Sequence, residues 1–241
     1  YTNLLHPFQP FIFGQRNFVH HIARKFDIPL IFFGESPAEY GGKENEDEDP
    51  RLSEFYYVRD DNAPILVSGL SLKELELDHG ITPAHLEFYL PINRSDLENF
   101  RPEPHFLGYY LKFVPQENFY YAVEHADFQP NDQRTEGTYS KYNSIDDKID
   151  GFHYWTGFIK FGVGRCTHEA SQEIRNGHIT REEGVRLIHK YDGEFPQRYF
   201  QDFLRYMDMG EQEFFNIANS FRPEHLWEFE GNQWKLKHQV R

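Results

Sequence analysis

Apolar residues recur at steps of three and four between residues 14 and 26, which is the spacing of one face of an α-helix. The residues on this stripe are Phe18, Val19, Ile22 and Phe26. Asp27 ends the pattern, and the apolar run of residues 28–33 follows. A short run of this kind predicts a buried strand of a parallel sheet, with Gly34 at its carboxyl end.

A second strand and helix are predicted further along the chain. Residues 105–114 have the composition of a strand, and Pro115 is well placed as the first residue of the next helix. Two short helices, beginning after Thr82 and Ser95, are predicted as an insertion between the strands. In open α/β sheets ligands bind beyond the carboxyl ends of strands, so we expect a ligand near residues 34–42.

The pattern becomes helical after residue 129. Helices are predicted over residues 167–176 and 180–191, and Gly231-Asn232 predicts a two-residue hairpin turn. We therefore predict an α/β chain with two domains: residues 1–129 form a sheet domain with a helical insertion, and residues 130–241 form a mainly helical domain.

The composition excludes some classes of partner. The chain has 39 acidic and 25 basic residues and a formal charge of −14, which disfavours binding to nucleic acid or to an anionic membrane. No apolar run approaches the roughly 20 residues that span a bilayer. The single cysteine, Cys166, suits a reducing compartment, and we expect a cytoplasmic protein.

Two carboxylates follow the first predicted strand. Glu35 and Glu39 are hard oxygen donors, and Mg²⁺ binds through one or two such groups beside phosphates. We predict that both bind magnesium and that Gly34 lies beside the cofactor. For Glu39 an alternative stays open, because Ser36 and Glu39 also form a helix-capping box.

Candidate substrate-binding residues lie in two segments of the second domain. In FIKFGVGR, Lys160 and Arg165 flank two glycines and are predicted to hold a phosphate group; an ordinary helix-entry turn is the alternative. In SKYNSIDDKIDGFHYW, the residues predicted to bind a sugar nucleotide are Asp147, Lys148, His153 and Tyr154. An Asp-rich turn that caps a helix explains the same segment equally well.

Three further residues are weaker candidates. Gln15, at a helix start, is predicted to contact the substrate, and His6 could line the same crevice. Cys166 would be a zinc ligand only if other cysteines joined it, and a lone cysteine is more often a small buried apolar residue.

Five segments, in this order along the chain, resemble the N-acetyl sugar amidotransferases of surface-polysaccharide and flagellin-sugar biosynthesis. They are HPFQPFIFGQ, IPLIFFGESPAEYGG, YSKYNSIDDKIDGFHYW, KFGVGRCTHEASQEIRNGHITREEG and YDGEFP. GESPAEYGG also resembles a segment of asparagine-synthetase-like PP-loop ATP pyrophosphatases, whose acidic residues lie by the Mg²⁺-pyrophosphate.

The resemblance implies a PP-loop sheet and an ATP-dependent reaction. It implies that an acetamido group of a nucleotide-activated sugar is adenylated and that ammonia from a separate glutaminase subunit converts it to an acetamidino group. The family's phosphate loop, Ser-Gly-Gly-x-Asp-Ser, and its paired cysteines do not occur in this sequence. We therefore expect the chain to lack the family's N-terminal third.

Two other functions stay open. A PP-loop enzyme that modifies tRNA would share the adenylation chemistry, but the acidic charge argues against it. A truncated module could also bind the sugar nucleotide and its partner without catalysis.

Overall fold

A computed structural model of the chain describes residues 1–34, 49–60, 62–98 and 100–241. By their packing these residues form two units. We call Phe8–Phe113 the sheet unit, and Tyr1–Pro7 together with Val114–Arg241 the helical unit. No helix among the described residues is long and apolar enough to cross a membrane.

The first helix of the sheet unit, α1, spans Gln9–Lys25 and begins five residues before the predicted start, with a proline in its first turn. The predicted apolar stripe is not its buried face, because Phe18 and Phe26 are 46% and 64% exposed. The buried residues are Asn17, His20 and Ala23. Specific partners explain this reversal: the His20 ring stacks on Tyr57 at 4.1 Å, and Asn17 Nδ2 donates to a backbone carbonyl at 2.8 Å.

Strand β1, Leu30–Phe33, pairs in parallel with β6, Glu103–Phe106, which confirms the predicted direction. The prediction that β1 is buried is wrong, since Leu30 and Phe32 are about half exposed. The reason is that this sheet has two strands and only its other face, with Phe33 against Phe106, joins a core cluster. The second predicted strand is shorter than expected, because a 3₁₀ turn follows Phe106.

The remaining strands of the sheet unit are two residues long. They are β2, Val58–Arg59; β3, Leu66–Val67; β4, Leu70–Ser71; and β5, Ile92–Asn93. β2 pairs in parallel with β5, and β3 pairs antiparallel with β4. The α/β class is thus confirmed, whereas a PP-loop arrangement stays a prediction.

Between these strands lies a helix that the sequence analysis missed, α2, Leu72–His79. It has a Ser71/Glu74 capping box and ends at Gly80 in the left-handed conformation. The two short helices predicted after Thr82 and Ser95 are 3₁₀ turns, Pro83–Tyr89 and Arg94–Leu97. Pro91 explains where the first one ends, because the residue before a proline, here Leu90, is forced into an extended conformation.

In the helical unit, the helices predicted after Pro115 and at residues 167–176 and 180–191 are confirmed, and three further helices were not predicted individually. Its helices are α3, Pro115–Ala126; α4, Asp150–Phe161; α5, Arg165–Arg175; α6, Arg181–Tyr191; α7, Phe200–Met207; and α8, Glu211–Ser220. The Thr180/Glu183 capping box begins α6 as predicted. The predicted hairpin is confirmed as β7, Trp227–Glu230, and β8, Gln233–Leu236, with both turn residues at positive φ.

One aromatic cluster forms the core of this unit. Phe152 and Trp155 of α4 pack against Phe203 of α7 and Phe214 of α8, with ring centroids 4.1 to 6.2 Å apart. Because these rings fix one face of α4 inward, its other face is free to carry polar residues.

Candidate functional site

The outward face of α4 carries two of the predicted site residues, His153 and Lys160. His153, Gly157 and Lys160 are spaced by four and three residues, so they lie on one face of the helix. A Cβ built on Gly157 would meet no atom within 4 Å, so the surface between His153 and Lys160 is open. We call His6, His153, Tyr154, Lys160 and Arg165 the α4 cluster.

The N-terminal residues of the helical unit complete this cluster. The His6 ring stacks on the His153 ring with centroids 5.0 Å apart, and Lys160 Nζ donates to the Leu4 carbonyl at 3.1 Å. Five of the predicted candidates are thus brought together, although more than 140 positions separate His6 from the other four.

Burial lowers the pKa of three basic groups in this cluster. Burial, with added repulsion from His153 and Lys160, lowers the pKa of His6 to about 4. Burial likewise lowers the pKa of His153 and of the Lys160 ammonium. At neutral pH the His6 imidazole is therefore uncharged and has a nitrogen lone pair to offer.

Arg165 is the charged centre of a buried network. Its guanidinium lies 3.1 Å from Asp150 and 3.0 Å from Glu169, and it stacks over the Tyr154 ring at 4.3 Å. It also donates to the Ser144 hydroxyl. Only 8% of the Arg165 side chain is exposed. The arginine thus ties α4, α5 and the irregular segment before α4 into one structure.

The glycines of FIKFGVGR have structural explanations. Gly162 ends α4 in the left-handed conformation, and Gly164 N donates to the Asp192 carboxylate at 3.0 Å. The same carboxylate accepts from Thr167 N and Thr167 Oγ1, which caps α5. A Cβ on Gly164 would lie 2.5 Å from Asp192 Oδ1. The amino end of α5 is therefore filled by a side chain of the protein and does not fit a phosphate.

Asp147 and Lys148 lie on a separate pocket of about 190 Å³. Asp147 Oδ1 accepts from the backbone N–H of Asp150 at 3.2 Å, which agrees with the alternative that it caps a helix. Lys148 Nζ lies 3.3 Å from Asp202. The charged and aromatic residues that line this pocket are Arg134, Glu136, Asp147, Lys148, Arg198 and Tyr199.

The remaining candidates lie elsewhere. Gln15 on α1 and Gly34 after β1 are exposed residues of the sheet unit. Glu35 and Glu39 fall outside the described residues, so their magnesium role stays a prediction. Cys166 is buried, and burial raises its pKa to about 12. Within the described ranges, no three His, Cys, Asp or Glu side chains group as metal ligands would.

Sequence reasoning missed the residues that organise these sites. Glu169, Asp192 and Glu194 act through partners 4 to 60 positions away, and only Glu169 has a local signal, its i,i+4 spacing from Arg165. Arg134 and Arg198 belong to no motif, and only folding brings them to one pocket.

Comparison with known families bears on this unit. Residues 136–241 match the family model described as LPS biosynthesis protein WbpG-like, C-terminal domain. A search of curated proteins gave no match. The matched range contains α4 to α8, the hairpin, and four of the five residues of the α4 cluster. The match supports the resemblance to the N-acetyl sugar amidotransferases over residues 136–241.

Proposed function

We propose that this protein acts in lipopolysaccharide or flagellin-sugar biosynthesis as an ATP-dependent amidotransferase that converts the acetamido group of a nucleotide-activated sugar to an acetamidino group. The observation that supports it most is the position of the α4 cluster. His153, Tyr154, Lys160 and Arg165 all lie inside the range that matches the WbpG-like family.

The reaction has two bond exchanges. The amide oxygen of the acetamido group bonds to the α-phosphorus of ATP, and pyrophosphate leaves. Ammonia then bonds to the amide carbon, one of its protons is removed, and AMP leaves with the original oxygen. The proposed source of ammonia is a separate glutaminase subunit.

The residues of the α4 cluster suit two parts of this chemistry. Lys160 supplies a positive charge on an open helix face, where it can stabilise the negative charge that develops on a phosphate. The His6 imidazole, uncharged at neutral pH, can accept a hydrogen bond from the attacking ammonia and orient it. Arg165 orients Tyr154 and holds the helix ends in place.

The proposed magnesium ligands, Glu35 and Glu39, rest on the sequence and the family resemblance alone. Mg²⁺ would neutralise charge on the pyrophosphate as it leaves.

The test is a direct assay of this chain. The protein is incubated with ATP, Mg²⁺, ¹⁵N-ammonium chloride and a panel of UDP-acetamido sugars, and AMP and the labelled sugar product are measured by mass spectrometry. We expect AMP formation that depends on the sugar, with ¹⁵N in the product. Sugar binding without AMP or labelled product would contradict catalysis and favour a binding module.

Lys160→Met sharpens the assay. If the ammonium stabilises developing charge, kcat falls by a factor of roughly 100 while the KM for the sugar nucleotide changes little. Lys190→Met is the matched control, because Lys190 is an exposed lysine on α6. A rise in KM with unchanged kcat would instead assign Lys160 to ground-state binding.

A further inference from the structure

The pocket of about 190 Å³ in the helical unit lies where three segments meet. Residues 131–136 and 144–148 form one side, and the turn at residues 196–199 before α7 forms the other. Pockets for drug-sized ligands are typically about 300–1,000 Å³, so this one suits a single ring with a small substituent.

The walls of the pocket are fixed by internal bonds. Arg134 makes a two-bond ion pair with Glu194, at 2.6 Å for each bond, and also donates to the Thr138 carbonyl at 3.1 Å. The Glu136 carboxylate accepts from the backbone N–H of Arg198 at 3.0 Å. These charged groups already have partners, so they shape the pocket rather than wait for a ligand.

Other polar groups of the pocket have no such partner. Across the part of the chain that the structure describes, no carboxylate pairs with the Arg198 guanidinium, and the side-chain amides of Asn131 and Gln133 make no hydrogen bond. Arg198 and Lys148 both lie over the Tyr199 ring, at 5.2 and 5.5 Å from its centroid. Beside Arg198 and the two amides, the pocket holds Lys148, whose ammonium lies 3.3 Å from Asp202, and the carboxylates of Glu136 and Asp147.

This set of groups matches the parts of a glycosyl phosphate. Amide side chains can both donate to and accept from sugar hydroxyls. A guanidinium binds phosphate oxygens through paired N–H groups, and a lysine adds a point charge.

We propose that this pocket binds the glycosyl phosphate end of a sugar nucleotide, with Arg198 and Lys148 on the phosphate and with Asn131 and Gln133 on the sugar hydroxyls. The proposal rests on the proposed function only for the choice of an acetamido sugar.

The experiment measures binding to the chain by calorimetry, with N-acetylglucosamine 1-phosphate, free N-acetylglucosamine and inorganic phosphate as separate probes. We expect the sugar phosphate to bind more tightly than either part. Arg198→Ala should weaken its binding about 10- to 100-fold, as expected for a lost charge-assisted hydrogen bond. Arg186→Ala is the control, because Arg186 is an exposed arginine on α6 outside the pocket.

Gln133→Ala separates a sugar site from a simple anion site. It should weaken binding of the sugar phosphate and leave binding of inorganic phosphate unchanged. Equal affinity for phosphate and sugar phosphate, or unchanged binding by Arg198→Ala, would overturn the proposal.

The two proposals can fail separately. Sugar phosphate binding that depends on Arg198, without AMP formation in the assay above, would support the pocket and contradict the amidotransfer. Normal turnover with an unchanged KM in Arg198→Ala would support the amidotransfer and overturn the pocket.

Discussion

The helical unit and the sheet unit bury different kinds of side chain. The helical unit joins rings from three helices in one core and buries the ion-paired Arg165 beside it. The sheet unit has two smaller clusters, around Ile92 and Leu75, and leaves Phe32 of its parallel sheet half exposed. Several of its arginines make ion pairs at the surface, such as Arg24 with Asp96.

The difference between the two cores determines in which unit the side chains of a site have defined positions. A single core with many long-range ring contacts holds α4 in one orientation, so the face that it presents outward is defined. In the sheet unit a ligand was expected near residues 34–42, after β1. Of these, only Gly34 is described, and Glu35 and Glu39 fall outside the described residues. The candidate residues that the structure brings together therefore lie in the helical unit.

The largest expected effect is on the aromatic core. Phe214→Ala removes a fully buried ring that contacts Phe152, Trp155 and Phe203, and it should lower the free energy of unfolding by about 3–5 kcal/mol. Leu75→Ala, in the smaller cluster of the sheet unit, should cost about 2 kcal/mol. Urea unfolding provides both values.

The three tryptophans allow unfolding of the helical unit to be followed separately. Trp155, Trp227 and Trp234 all belong to the helical unit, so their fluorescence reports on that unit alone, whereas far-UV circular dichroism reports on both. Equal losses for Phe214→Ala and Leu75→Ala would contradict the comparison of the two cores.

The next effect compares a buried ion pair with an exposed one. Arg165→Met leaves the Asp150 and Glu169 carboxylates half-buried without their cation, which should cost about 3 kcal/mol or more. Arg24→Met, at the surface of the sheet unit, should cost less than about 1 kcal/mol, because water screens exposed pairs. A small loss for Arg165→Met in urea unfolding would show that the network does not hold the unit together.

A pH effect is expected in the sheet unit. Burial lowers the pKa of His20 to about 4 from its ordinary value of 6.5. Between pH 6.5 and 4 the unfolded chain binds this proton and the folded chain does not, so stability falls as the pH drops through that window. The contribution of His20 should be about 2 kcal/mol, and it should be absent above pH 6.5.

His20→Phe is the variant that isolates this effect. Phenylalanine can keep the ring stack on Tyr57 and does not titrate. Urea unfolding is followed by circular dichroism at pH 7 and at pH 4.5. The free energy of unfolding should change less between these two pH values for the variant than for the original chain. An equal change in the free energy of unfolding for both proteins would show that His20 does not cause the pH dependence.

The smallest effects come from two glycines of the helical unit. Gly164→Ala would push the Asp192 carboxylate off the end of α5 and should cost about 1–2 kcal/mol. Gly157→Ala meets open space in the middle of α4 and should raise stability by about 0.5–1 kcal/mol. Tryptophan fluorescence during urea unfolding checks both signs, and a stabilising Gly164→Ala would contradict the capping role of Asp192.

Local signals allowed the prediction of several elements. The capping box before α6, the proline at the start of α3 and the Gly231-Asn232 turn each act within a few residues, and all three are confirmed. The Ser71/Glu74 capping box of α2 is an equally local signal, and it marks a helix start that was not predicted. The buried face of α1 could not be predicted, because His20 and Asn17 are buried by partners far along the chain.

The sequence by itself determined that this protein has mixed helices and strands, that a helical region forms its C-terminal part, and that this region resembles the N-acetyl sugar amidotransferases. These properties depend on residues close together in the chain or on ordered motifs. Tertiary structure alone decided that His6 stacks on His153, that Asp192 caps α5, and that Arg198 shares a pocket with Lys148. Each of these contacts joins residues at least 25 positions apart, and such pairs meet only when core packing orients the elements that carry them.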